Sequence, residues 1–333
     1  MEGSSFTNIT NETDYFDKNT ELLDSVSKVM GSYVSSIICL IGLVINISLL
    51  AHINKHSFRH KMYDTVRVCT IIDLLICIIG IGYNNSGCTS CLNTKLNTQN
   101  ALFYQWFIIN VSLRGFLIAS ALAEINLILN RYLIISNIEW PFIRNLSKKK
   151  MFTIMFLVSF LMFMVPTYLT IEIVPVEEGF YTWTLSDFGK NKFVPFFFIF
   201  QMIFDTVIPI LLLVILTVLS VVRFEKFALY KKVTLERSYY TKSNRRFSAI
   251  VIVMTCVFIL TRSIDMIGIV GVRMMGFGFF KVTQQIHSEI NFFRMISMVL
   301  TFTAHSFNGL LFFAFDKNLN RSVRASFRNS RFI

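Results

Sequence analysis

The sequence predicts an all-α membrane protein: a bundle of seven transmembrane helices followed by a short amphipathic cytoplasmic helix. Three observations predict it. The 333 residues are 54% apolar and 16% charged, with 35 Phe and a mean hydropathy of +0.58, too apolar for a soluble domain of this length. Seven apolar stretches are long enough to span a bilayer, which takes about 20 residues each. Basic residues gather in alternate loops.

The spans are expected near 30–54, 65–84, 101–130, 151–172, 193–222, 246–271 and 287–315. They divide the chain into an N-terminal tail (1–28), a seven-span domain (29–315) and a C-terminal amphipathic helix with its tail (316–333). Seven spans place the termini on opposite sides. Loop 52–67 carries Lys55, Arg59, Lys61 and Arg67, and the segment after span three carries Arg131, Arg144, Lys148, Lys149 and Lys150. Loop 223–246 adds eight basic residues, among them Lys231, Lys232, Arg245 and Arg246, and the tail after span seven adds five. Together these are 22 of the 32 Lys and Arg. The other side holds acidic residues, from Glu2 to Asp24 in the tail and from Glu172 to Asp187 in the loop after span four. This positive-inside pattern puts the N-terminus outside and the C-terminus in the cytoplasm. It also accounts for the net charge of +12 and excludes a nucleic-acid surface.

Residues 1–28 have no apolar core of signal-peptide type, so the first span is expected to act as its own signal anchor. Asn8 and Asn11 each begin an Asn-X-Thr glycosylation acceptor on the outer side. Cys39, Cys69, Cys77 and Cys256 lie in spans, as packing residues. Cys88 and Cys91 lie in the oxidising outer loop 85–100, where either a local disulfide or two separate thiols fits the spacing.

The third span ends abruptly in Asn130-Arg131-Tyr132. On a helix, Ser120, Glu124, Leu127 and Arg131 form one stripe, so this helix belongs inside the bundle with the stripe inward. Other spans add Asn46, Asp73, His305 and Asn308. With Ser120 they form one central polar cluster, or each is satisfied on its own helix; Asp73 requires more than backbone partners. Further charges sit where lipid would not accept them: Arg114, Asp205, Arg262, Asp265 and Arg294. Arg262 and Asp265 are three residues apart and can pair with each other, while Arg114 or Arg262 can pair with Asp205 across helices. After span seven, Phe315, Leu319, Val323 and Phe327 recur every four residues among arginines, an amphipathic helix for the inner membrane surface.

Taken in order and spacing, Asn46, Asp73 in Ile-Ile-Asp-Leu-Leu, Ser120, Asn130-Arg131-Tyr132, Pro209, and Asn308-Gly-Leu-Leu-Phe312 with the Phe/Arg helix resemble a rhodopsin-like (class A) G protein-coupled receptor. The likeness is nearest to invertebrate FMRFamide-type peptide receptors and nematode serpentine chemoreceptors. It implies a plasma-membrane receptor that binds an extracellular ligand, a neuropeptide or a small chemosensory molecule, and activates a heterotrimeric G protein. It implies that Asn130, Arg131 and Tyr132 meet the G protein, with Arg245 and Arg246 at the rim; the loop charges also serve as topology determinants. It implies an allosteric sodium ion at Asp73, Ser120 and Asn308, to which Glu124 adds a second carboxylate, charged or neutral.

The chain departs from that pattern in several places. Asn130 stands for the usual acid, Gly309 for the Pro and Phe312 for the Tyr of the seventh-span motif, and Arg262 for the Trp of span six. Trp106 stands for the cysteine at the outer end of span three, and loop 173–192 lacks its partner. Leu113 in the position of the aminergic carboxylate argues against amine ligands, and Phe302 in the position of the retinal-binding Lys argues against an opsin. A carboxylate-bearing ligand, or an amidated basic peptide end, suits the mixed charges. The departures also fit a receptor that does not couple, and a transporter or channel is the other class; it needs broken helices or a repeat, although Asp73, Glu124 and His305 have the chemistry of a proton relay. No nucleophile motif or metal-ligand spacing supports an enzyme, and no organic cofactor is implied.

Overall fold

The computed structural model describes residues 21–55, 61–86, 99–136, 148–177, 180–191, 193–233, 239–276 and 284–315. The expected sites Asn8, Asn11, Cys88 and Cys91 and the amphipathic helix after span seven lie outside these residues.

Helix α1 is Glu21–Lys55 and α2 is Lys61–Ser86. Helix α3 covers 99–136, with a π-helical turn at Tyr104–Asn110. Helix α4 is Lys148–Thr170, α5 covers 194–233, α6 is Tyr239–Gly276 and α7 is Gln284–Phe315. Among the described residues, five segments are long and apolar enough to cross a membrane, and they lie in α1, α2, α3, α5 and α6. The expected fourth and seventh spans coincide with α4 and α7, of 23 and 32 residues.

The polarity of the assembly is inverted relative to a soluble protein. Asn46, Asp73, Glu124, Arg131, Arg262 and His305 are buried, while Val44, Leu161, Phe196, Leu211, Val218 and Leu260 are exposed. Large aliphatic side chains facing outward around polar ones facing inward fit hydrocarbon as the surrounding solvent. The chain is a multi-pass, membrane-embedded helical protein. Helix α1 packs on α2 and α7, α2 on α3, α3 on α4 and α5, and α6 on α5 and α7. Of these five segments the one in α3 is the most enclosed, 67% buried against 17% in α5. The α3–α4 contact is aromatic: Phe116, Phe156 and Phe160 pack at centroid separations of 4.2–5.5 Å, and Gly115 lets the Phe160 ring approach the α3 backbone.

Local chemistry explains where two helices widen. In α5, Pro209 has no N–H for the carbonyl of Asp205, and its ring would clash with that carbonyl in a regular helix. The chain resolves the conflict with a π-helical turn at Ile203–Val207, just ahead of the proline. In α1 the wide turn Met30–Val34 holds Gly31 and Ser32, and Ser35 Oγ donates to Met30 O at 3.0 Å.

One element departs from the all-α expectation. Helix α4 ends at Thr170, and the chain turns into an antiparallel hairpin, β1 Ile171–Glu177 and β2 Phe180–Leu185, paired from Ile171↔Leu185 to Glu177↔Phe180. Alternating Ile171, Ile173 and the β-branched and aromatic run Tyr181-Thr-Trp-Thr184 favour strand. Pro175 is accommodated because β1 has a free edge. Ser186 closes the structure: its N–H donates to Thr170 O at 3.0 Å, and its hydroxyl donates to Leu169 O. The hairpin packs against Gln99–Phe103 at the start of α3.

Candidate functional site

The polar residues predicted from α1, α2 and α7 meet. Asp73 is 2% exposed and His305 1%. His305 Nδ1 lies 2.7 Å from Asp73 Oδ1, and Asn308 Nδ2 donates to Asp73 Oδ2 at 3.1 Å. Asn46 Nδ2 donates to the backbone carbonyl of His305 at 3.2 Å, and Ser306 Oγ donates to Ile38 O at 3.0 Å, tying α7 to α1. Two residues without side chains allow this closeness. A Cβ on Gly42 would lie 2.3 Å from Ser306 Oγ, and one on Gly309 would lie 3.0 Å from Asn46 Oδ1. Gly309 is thus a contact surface for Asn46.

Ser120 and Glu124 are buried on α3, and Glu124 lies within electrostatic range of Asp73. Glu124 Oε2 is buried and has no hydrogen-bond partner. Each oxygen of Asp73 has one protein partner, which leaves further lone pairs on the carboxylate. Among the described residues no group of three or more His, Cys, Asp or Glu gathers as a metal site.

The five charges singled out from the spans also come together. Arg114, Asp205, Arg262, Asp265 and Arg294 line one half-open cavity of about 50 Å³ between α3, α5, α6 and α7. Arg262 Nη1 is 3.8 Å from Asp265 Oδ2, and Nη2 donates to the carbonyl of Leu117. Arg262 is also within electrostatic range of Asp205, while its ion pair is with Asp265. Ser297 Oγ lies 3.4 Å from Asp265 Oδ1, and Thr206 Oγ1 donates to Asp205 Oδ1 at 2.8 Å. The π-helical turns of α3 and α5 contribute Asn110, Asp205 and Thr206 to the lining.

A continuous contact path joins this cavity to the polar cluster. The guanidinium of Arg262 stands 5.1 Å from the centre of the Phe258 ring. That ring meets His305 edge-on at 5.9 Å, and His305 holds Asp73. Phe258 is 2% exposed. At the other end of α3, Arg131 is buried, and Asn130 and Tyr132 are half-buried. Arg245 and Arg246 fall on α6 before its apolar part.

Sequence reasoning missed Phe258 and Ser297. The signal for Ser297 was present: Arg294, Ser297, Thr301, His305 and Asn308 recur at helical spacing on α7, a polar stripe like that of α3. Phe258 gave none, because one Phe among 35 in an apolar run is not distinguished by type.

No known protein family and no curated protein matches this chain.

Proposed function

We propose that the chain is a seven-span receptor of the rhodopsin-like type. In this reading the N-terminus is extracellular and the C-terminus cytoplasmic, at the plasma membrane. A ligand enters the charged outer cavity, and a heterotrimeric G protein engages the Arg131 end of α3. Helices α4 and α7 complete the seven spans.

The observation that carries this reading is the path Arg262–Phe258–His305–Asp73, which runs from the cavity into the central polar cluster. A receptor needs a bistable element that both ends can bias. A buried, hydrogen-bonded ionic cluster in hydrocarbon has that character, because its alternative arrangements are discrete. Helix α3 spans the system: Arg114 lines the cavity, and Arg131 lies 17 residues on, about 25 Å along the axis.

The test uses the purified chain in lipid nanodiscs with a panel of heterotrimeric G proteins. Guanine-nucleotide exchange should exceed that with protein-free discs and fall back to it in Arg131→Gln. Exchange indistinguishable from protein-free discs across the panel, with and without extracts containing peptides and small organic molecules, rejects the reading. Proton-coupled solute uptake into liposomes under the same conditions would instead favour a transporter. Glycan attachment at Asn8 and Asn11 in cells tests the orientation separately.

A further inference from the structure

The outer cavity has a chemical bias. Three guanidinium groups and two carboxylates line it, so its charged lining carries a net charge of +1. Asp205 accepts from the Thr206 hydroxyl, and Asp265 Oδ1 lies 3.4 Å from Ser297 Oγ, whose proton has a nearer acceptor in Arg294 O at 2.8 Å. Arg262 is 8% exposed, and its Nε is buried without a hydrogen-bond partner. Asp73 also acts on Arg262, so the bias lies in the excess of guanidinium donors over carboxylates in the lining. Guanidinium donors suit a planar, two-oxygen acceptor. The rest of the lining includes Leu113, Leu117, Ile118 and Met298, apolar surface for the carbons next to a carboxylate. The volume of about 50 Å³, roughly a third of what holds one benzene ring, limits what enters fully to the carboxylate group itself, and the open mouth leaves the remainder of the ligand outside.

We propose that this cavity binds a carboxylate, with Arg114, Arg262 and Arg294 supplying the positive field, and that the group is carried either by a small organic acid or by a peptide C-terminus. This deepens the receptor reading and rests on it for biological meaning, but the binding itself is measured without a G protein.

The probes are butanoate and hexanoate, methyl hexanoate, and N-acetyl-Ala-Ala-Phe as free acid and as amide. Each is titrated against the full chain in nanodiscs, with thermal unfolding as the readout. The acids should raise the unfolding temperature saturably, and the ester and amide should not. A peptide-acid effect without an alkanoate effect assigns the site to a peptide C-terminus, and the alkanoate effect assigns it to small acids; both support the proposal. Arg114→Gln and Arg294→Gln should each weaken acid binding about tenfold or more, the loss expected for one charge-assisted contact. Arg114→Lys should retain part of it. If the glutamine variants do not fold, the acid-against-ester comparison on the unaltered chain still decides. Equal shifts with acids and neutral analogues, or none with any acid, overturn the proposal. Acid-specific binding without nucleotide exchange leaves the carboxylate site standing and removes the receptor reading.

Discussion

His305 Nδ1 sits 2.7 Å from Asp73 Oδ1, and Asn308 occupies the other carboxylate oxygen. Each oxygen keeps a lone pair beyond that contact, so exchanging sodium for N-methylglucamine at a constant ionic strength of about 0.15 M tests the cluster as an ion site: a sodium-specific rise in unfolding temperature is expected if it holds the ion, and an unchanged temperature removes that role. Replacing His305 by Ala removes one partner of a buried ionisable pair, and a loss of about 3–5 kcal/mol is expected. Asp73→Asn/His305→Ala together should cost less than the sum of the single changes, because the pair acts as a unit.

Glu124 presents the opposite case, a buried oxygen without a partner. Glu124→Leu nearly conserves volume and removes the unsatisfied atom, so the chain should gain about 1–3 kcal/mol. Glu124 also shares a helix face with Arg131, two turns away, and Asn130 provides no acid beside that arginine. If Glu124 restrains Arg131 from within the bundle, the same change raises basal nucleotide exchange at equal surface expression. Unchanged or lower basal exchange would show that the restraint lies elsewhere.

Gly42 and Gly82 separate packing from propensity. A methyl on Gly42 would lie 2.3 Å from Ser306 Oγ and 2.8 Å from Cys77 Sγ, whereas one on Gly82 would meet only Ile109 Cδ1, at 3.4 Å. Gly42→Ala should therefore destabilise by about 1–3 kcal/mol through overpacking. Gly82→Ala should be neutral or stabilising by up to about 1 kcal/mol, the helix-propensity gain. Similar unfolding temperatures for the two variants would mean that α1 and α7 do not approach as closely as the Gly42–Ser306 contact requires.

Much of this arrangement was legible in the chain because hydrocarbon makes polar side chains conspicuous. Asp73, Asn46, His305 and Asn308 stood out as costly residues in apolar runs, and they meet; the five span charges also meet in one cavity. Residue type did not reveal geometry that depends on the backbone. The turn at Ile203–Val207 follows from Pro209 only once α5 is known to continue through it. The hairpin after Thr170 was overshadowed by the adjoining apolar run, although Ile171, Ile173 and Tyr181-Thr-Trp-Thr184 carry strand preference. Gly309 read as a lost proline, whereas its lack of a side chain makes room for Asn46.

Phe258 is the link on which coupling between the cavity and the cluster turns. Its ring lies under the Arg262 guanidinium and edge-on to His305. A cation over an aromatic face is attracted by about 0.5–2 kcal/mol, and an edge-to-face ring contact contributes about 0.5–1.5 kcal/mol. Phe258→Leu keeps most of the apolar volume and removes both ring-specific terms. Stability should fall modestly, while the dependence of nucleotide exchange on a bound carboxylate should weaken by about five- to tenfold, the size of a coupling of 1–1.4 kcal/mol. Spatial continuity alone does not establish coupling, so the decisive measurement is a double-mutant cycle between Phe258→Leu and Arg262→Lys. A coupling energy near zero for exchange would show that the signal bypasses the ring, even if each change lowers activity by itself.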